Sequence, residues 1–204
     1  DRITDKGFIE SFDSWEQVVA RWPQAQASKV ALLVKEKPDG STKCRIIIDL
    51  LRSGVNGEVV LPERVVLPRV RDLINSTVDL LEDVPPQADP LEFCELFTVD
   101  FEDAFHTLDL KEVDRGSMVF KTLQGWAVFR RLCCGMAAAP MIWCRTSAAG
   151  CRLGQSIFQP HELRLQCFVD DPAIAASGNR ATREWNVGIL FVFWAILGFR
   201  FSWK

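Results

Sequence analysis

Two short runs of this 204-residue chain concentrate groups that do chemistry. One is Thr98-Val99-Asp100-Phe101-Glu102-Asp103, and the other is Phe168-Val169-Asp170-Asp171. Adjacent acids repel one another, and a fold normally avoids stacking a third carboxylate beside them. A divalent cation reverses that logic. Hard oxygen ligands suit Mg²⁺, which takes one or two carboxylates and fills its remaining positions with water and substrate phosphates. A pair of such ions about 4 Å apart stabilises both the attacking and the leaving oxygen of an in-line displacement at phosphorus. The same Asp-Asp pair also reads as a solvated turn, and spacing alone leaves both readings open.

The elements that must carry these acids follow from periodicity. Phe97, Val99 and Phe101 alternate with Leu96, Thr98 and Asp100, which predicts a strand ending in acid. Leu163, Leu165, Cys167 and Val169 alternate with Arg164, Gln166, Phe168 and Asp170, which predicts a second such strand with a return strand over Ala173 to Ala176. Helices are predicted from Glu102 onward, over Ala138 to Leu153 and over Ala181 to Leu197, and Gly198 opens a further strand. Upstream, Phe12, Trp15, Val18, Val19 and Trp22 predict a helix within 8–26 that stops before Pro23. Lys29 to Glu36 and Thr42 to Leu50 predict a hairpin around Pro38-Asp39-Gly40-Ser41, with Lys35, Lys37, Lys43 and Arg45 on its tip and second strand. A loop between Pro62 and Pro68, a helix over Leu67 to Leu81 and a three-proline boundary over Val84 to Pro90 come next. Ser117 to Leu132 reads as two strands around Gln124-Gly125. Mixed strands and helices without a repeat give the class α+β.

Composition narrows the function classes. Apolar residues at 48% and charged residues at 25% exclude a disordered or low-complexity chain. The longest uncharged apolar run, Val187 to Phe199, is 13 residues and too short to span a bilayer, so no membrane partner is expected. Seven scattered cysteines include no Cys-x-x-Cys pair, which fits reduced thiols in an intracellular compartment, cytoplasm or nucleus. The net charge of -3 argues against a uniformly basic nucleic-acid binder, but it averages two zones. Residues 72–103 carry ten acids and no Lys or Arg, whereas residues 111–152 carry seven bases against Glu112 and Asp114. The first residue is Asp rather than Met, so the chain reads as a piece of a longer product.

Four further runs complete a pattern. Gly135-Met136-Ala137-Ala138-Ala139-Pro140 is followed by Trp143 and Arg145, and Leu197-Gly198-Phe199 follows the Asp pair. Lys43-Cys44-Arg45-Ile46-Ile47-Ile48-Asp49 precedes Asn56, and Asp100 is followed four residues on by Ala104-Phe105. In order and spacing these motifs, over about residues 29–204, resemble the reverse transcriptase family of retroelements. The resemblance implies an RNA-directed DNA polymerase of right-hand form. Its palm, an antiparallel sheet backed by helices, would take about 94–108 and 137–204. Its fingers would take about 1–93 and 109–136. The thumb is absent from these residues, and it, RNase H and integrase domains would belong to the full-length chain. Partners would be an RNA or DNA template with primer, and dNTPs.

The resemblance also assigns residues. Asp100, Asp170 and Asp171 would be the catalytic carboxylates and hold two Mg²⁺ ions, with Mn²⁺ as a substitute. Phe105 would be the sugar gate, a flat ring that leaves no room for a 2′-hydroxyl. The amides of Asp103 and Ala104 would cradle the triphosphate. Arg45 would lie over the incoming base, Lys37 or Lys35 would reach the γ-phosphate, and Cys134 and Gly135 would adjoin the nucleotide. Pro140, Arg145, Phe168 and Val169 would face template and primer.

Some residues depart from the pattern. Cys133-Cys134 stands where Pro then Gln or Phe is usual, Leu51 replaces a base, and Phe168 replaces Tyr. Pro172 removes a backbone donor from the return strand, which leaves room for a shifted turn. Lys204 lies about one residue from the position of a general-acid lysine. These departures keep a second reading open, a decayed domain that binds nucleic acid or a protein partner without catalysis. A third, an RNA-dependent RNA polymerase, is disfavoured by Phe105.

Overall fold

The computed structural model describes residues 2–36, 40, 42–82, 84–87 and 89–202. From the N-terminus the chain forms α1 (Arg2–Asp5), β1 (Ile9–Phe12), α2 (Trp15–Arg21), β2 (Ala27–Glu36) and β3 (Thr42–Asp49). Next come α3 (Val70–Glu82), α4 (Pro90–Phe93), β4 (Cys94–Thr98) and β5 (Asp100–Phe101). They are followed by α5 (Glu112–Arg115), β6 (Val119–Lys121), β7 (Trp126–Phe129) and α6 (Ala139–Gln155). β8 (Leu163–Phe168), β9 (Asp171–Ser177), α7 (Arg180–Ile196) and β10 (Phe201–Ser202) complete the series. Contacts divide the chain into two compact units, Asp1–Glu63 with Phe105–Pro140 and Arg64–Ala104 with Met141–Lys204. Residues 64–93, expected with the first lobe, group with the second because α3 packs on β8, β9 and β4.

The first unit holds a five-stranded sheet in the order β1-β7-β6-β2-β3, with one parallel pair, β2 with β6. Val18 of α2 and Trp22, which caps its C-terminal end, pack on Val119 and Val128 of the sheet. The helix expected within 8–26 is instead a strand followed by a short helix. Gly7 at φ +68° turns the chain so that Ile9 to Phe12 pair with Phe129 to Trp126, and sheet pairing overrides the helical spacing. The expected hairpin is present, with Lys29 opposite Asp49 and Glu36 opposite Thr42. Among the described residues, Ala27 and Ser28 alone of β2 also pair with β6, so most of this ribbon has no third strand there. Its apolar residues Leu32, Leu33 and Val34 are exposed. Lys37, Pro38, Asp39 and Ser41 of the expected turn, and Lys204, lie outside the described residues.

The second unit holds a three-stranded antiparallel sheet, β4-β9-β8, and the pair β10-β5. α7 is capped just before its first residue by Asn179, whose side chain accepts the Thr182 N–H at 3.0 Å, a cap that contributes about 1 kcal/mol. Its inner face buries Arg183, Asn186, Val187, Leu190 and Trp194. Phe101, Trp143, Trp194 and Phe199 form an aromatic core, with ring centroids 4.8–6.0 Å apart. Gly150 and Gly154 leave α6 flat where this core meets it. A Cβ at Gly150 would lie 2.7 Å from the Phe199 ring, and one at Gly154 would lie 2.7 Å from Leu190.

Two expected elements differ here. The strand over Leu96 to Phe101 breaks at Val99. The Val99 N–H donates to the Pro172 carbonyl at 3.2 Å, but Pro172 has no N–H to return the bond, so the ladder ends at Thr98 opposite Ala173. The helix expected from Glu102 does not form. Asp103 adopts φ +53°, and the chain makes only a 3₁₀ turn over Ala104–Thr107.

Candidate active site

β8 and β9 are joined by a two-residue turn, with Phe168 directly opposite Asp171. The register is therefore undisturbed by Pro172, whose missing donor faces β4 rather than β8. The shifted turn that Pro172 left room for is not formed. The central residues are Val169 at φ +60° and Asp170 at negative φ, the order of a II′ turn. Glycine normally takes that first position. A β-branched residue there is held at a cost of order 1–3 kcal/mol.

Backbone bonds bring this turn to the strand of Asp100. The Phe101 N–H donates to the Asp170 carbonyl at 3.0 Å, and Val99 binds Pro172 as described. Phe101 is buried among the aromatic rings, so alternation turns Asp100 the other way, where it is half-buried opposite Ser202. Asp170 is half-buried and Asp171 exposed. Three of the predicted residues thus share one edge of the second unit. Phe168 beside them is 55% exposed, and Val169 is half-buried. Arg145 is exposed on α6. Asp103 is half-buried and Ala104 buried, where the Glu102 N–H donates to the Arg200 carbonyl at 2.8 Å.

Behind the turn lies α6. The fully buried Trp143 donates its indole N–H to the Val169 carbonyl at 3.0 Å, and the Cys167 thiol approaches the same carbonyl at 3.5 Å. At the other end of β8, the Gln155 side chain donates to the Leu163 carbonyl at 2.7 Å and accepts the Leu165 N–H at 2.9 Å. Cys151 and Cys167 share a hydrogen bond that pushes the Cys151 thiol up and pulls Cys167 down. Burial pushes Cys144 up, and the charge of Asp170 adds to it.

The remaining predicted residues belong to the first unit. Arg45 is exposed on β3 opposite Leu33, and Lys35 is exposed opposite Lys43. Phe105 is half-buried in the 3₁₀ turn, and Pro140 is exposed in the first turn of α6. Gly135 takes φ +108° with its backbone against Ile48, whose carbonyl a Cβ would strike. The Cys134 carbonyl accepts the Ile48 N–H at 3.0 Å. Asn56 clamps the same turn, donating to the Gly135 carbonyl and accepting the Ala137 N–H, both at 2.9 Å. The sequence marks Asn56 only by its place in the pattern, and nothing in it marks Trp143 or Gln155 as partners of β8.

Among the described residues, no three His, Cys, Asp or Glu side chains converge closely enough to hold a metal ion between them. The donor set nevertheless fits Mg²⁺. It consists of three carboxylates at two adjoining strand ends, Asp100 and Asp170 half-buried and Asp171 exposed, and Mg²⁺ uses one or two such groups rather than a protein cage.

No family profile matches the chain, and no curated protein matches it either. Comparison with solved structures gives the deciding observation. The chain aligns over 99% of its length, with a TM-score of 0.60 and 18% identity, to a foamy viral protease-reverse transcriptase solved in complex with double-stranded DNA. The fold is reverse-transcriptase-like. The chain spans 29% of that solved chain, and at this identity the likeness concerns the reverse-transcriptase-like fold alone. No helix among the described residues is long and apolar enough to cross a membrane.

Proposed function

We propose that the chain is the fingers and palm portion of an RNA-directed DNA polymerase, which adds dNTPs to a primer 3′-hydroxyl. The observation that carries the reading is the bond from Phe101 to Asp170, which sets Asp100 beside the Asp170-Asp171 turn within a reverse-transcriptase-like fold. The second unit is the palm and the first the fingers. Asp100 and Asp170 are the metal ligands, with Asp171 as the auxiliary acid. Two bound Mg²⁺ ions supply charge neutralisation at the attacking hydroxyl and the leaving pyrophosphate. The chain's own groups orient the reactants. Arg45 and the lysines of the β2–β3 ribbon bind the nucleotide's phosphates. The Asp103 and Ala104 amides hold the triphosphate, and Phe105 excludes a 2′-hydroxyl by its bulk. Cys134 and Gly135 line the nucleotide, and Pro140, Arg145, Phe168 and Val169 meet template and primer.

The test is single-nucleotide addition with the protein in excess over template–primer, on RNA and on DNA templates, which needs no processivity. We expect dNTPs to be incorporated and rNTPs to be rejected. Asp100→Asn and Asp170→Asn should each lower the rate on the order of 10³-fold, the scale of losing one group that stabilises transition-state charge. Absence of addition by a folded protein that still holds template–primer favours the second reading, a non-catalytic binding domain. That reading is supported by Cys134 and by Leu51, which is 77% exposed where a base is usual.

A further inference from the structure

We propose that Trp143 is the positioning residue of the Asp170-Asp171 turn, its indole N–H selecting the orientation of the Val169–Asp170 peptide. The metal half of this inference rests on the reading of Asp100 and Asp170 as ligands. The turn half rests on geometry alone.

The central peptide of a two-residue turn is the one that flips between turn types, and its carbonyl belongs to the first central residue. Here that carbonyl is Val169's, and it is the atom that Trp143 binds at 3.0 Å. The Cys167 thiol approaches the same oxygen at 3.5 Å. Val169 at φ +60° has no intrinsic preference for this state, since a β-branched residue disfavours positive φ. Something outside the turn must hold it, and a fully buried indole N–H needs an acceptor. The two requirements meet in one bond.

The fit extends along α6. Gln155 grips β8 at Leu163 and Leu165, and Trp143 grips the turn at Val169. The two grips are twelve residues apart on the helix, about 18 Å at helical rise. From the midpoint of Leu163 and Leu165 to Val169 is five residues of strand, about 17 Å. The helix is therefore a ruler of the length needed to set the turn. The bonds from Val99 and Phe101 then fix β5, and with it Asp100, to the turn so held.

Trp194 supplies a matched control. It too is fully buried in the aromatic core, and its indole donates at 3.0 Å, but to the Gly150 carbonyl, not to the turn. Trp143→Phe and Trp194→Phe remove the same atoms and one hydrogen bond each. Amide exchange of Phe101, whose N–H binds Asp170, reads the turn without any activity, and Mn²⁺ titration by electron paramagnetic resonance reads the carboxylates. We expect both variants to lower the melting temperature. Only Trp143→Phe should speed Phe101 exchange, by about fivefold, the factor of one net hydrogen bond, and weaken Mn²⁺ binding in parallel. Val169→Gly added to Trp143→Phe should reverse both effects, because glycine holds positive φ unaided. If Trp143→Phe alone does not fold, the same second substitution should restore folding. Equal effects of the two tryptophan variants on Phe101 exchange, or failure of Val169→Gly to rescue, overturn the assignment and leave Trp143 a packing residue. A wild-type chain that binds no Mn²⁺ overturns the metal reading, and Phe101 exchange still decides the role of Trp143.

Discussion

Cys133 has no exposed surface, and burial, with the neighbouring Cys134 thiol adding to it, pushes its pKa up to about 12. In the unfolded chain the same thiol ionises near 9. Between those values the unfolded state holds fewer protons than the folded one, so stability falls as pH rises. The melting temperature should be level from about pH 7 to 8 and decline above about 9. Each unit of pH in that window costs up to about 1.4 kcal/mol from this group. Cys133→Ala should flatten the decline, leaving the shares of Cys94, Cys144 and Cys151, whose thiols are pushed in the same direction. An alkaline limb unchanged by the substitution would refute the assignment. That acids stand at two strand ends was legible from residue type and alternation, whereas spacing alone left a solvated turn open and only the wider motif pattern assigned them a role. The Trp143–Val169 bond was not, since valine is among the last residues expected at positive φ and a tryptophan on an apolar helix face reads as core.

Elements with local signals emerged from the sequence, and those made by distant partners did not. The β2–β3 ribbon, α7 and the β8–β9 hairpin carry their own turn, cap or alternation within a few residues. β1 does not. Its partner β7 lies more than 110 residues away, and its apolar positions coincide with a helical spacing that only Trp15–Arg21 realises. The break in the strand before Asp100 was hidden for the same reason, because its cause is a proline 73 residues on, at position 172 opposite Val99. α6 offers a quantitative test at this scale. Replacing a mid-helix glycine by alanine contributes up to about 1 kcal/mol of helix propensity, and overpacking costs about 1–3 kcal/mol. At Gly150 the obstacle is the Phe199 ring, fixed by its stack on Phe101 at 4.8 Å. At Gly154 it is chiefly the methyl end of Leu190. Gly150→Ala should therefore destabilise by about 1–2 kcal/mol in urea titration, and Gly154→Ala by much less. The reverse order would mean that the aromatic core, not the leucine, yields.

Over the whole molecule, charge and connectivity are divided differently. The first unit carries fourteen Lys and Arg against thirteen acids, and the second carries ten against fourteen. The candidate carboxylates lie in the acidic unit, where a phosphate backbone is repelled unless cations intervene. In EDTA at low salt, the Asp100→Asn/Asp170→Asn double variant should bind template–primer at least as tightly as the wild type, by about twofold or more in fluorescence anisotropy. Weaker binding would place the carboxylates away from the nucleic acid. The same variant cannot add nucleotides on the proposed reading, so binding and turnover should move in opposite directions.

The pairing of β5 with β10 bears on how the protein is made. Phe101 meets Phe201, and Asp100 meets Ser202, about 100 residues later in synthesis. At ordinary translation rates that interval lasts about 5–20 s. Throughout it the strand bearing Asp100 lacks its neighbour, and the Phe101 ring lacks Phe199 and Phe201 to pack against. Asp170 is already out for part of that time, yet the two strand ends have no finished core beneath them. A nascent chain thus leaves this edge unfinished until β10 has cleared the ribosome, and on the proposed reading the three carboxylates are set in place only from then on.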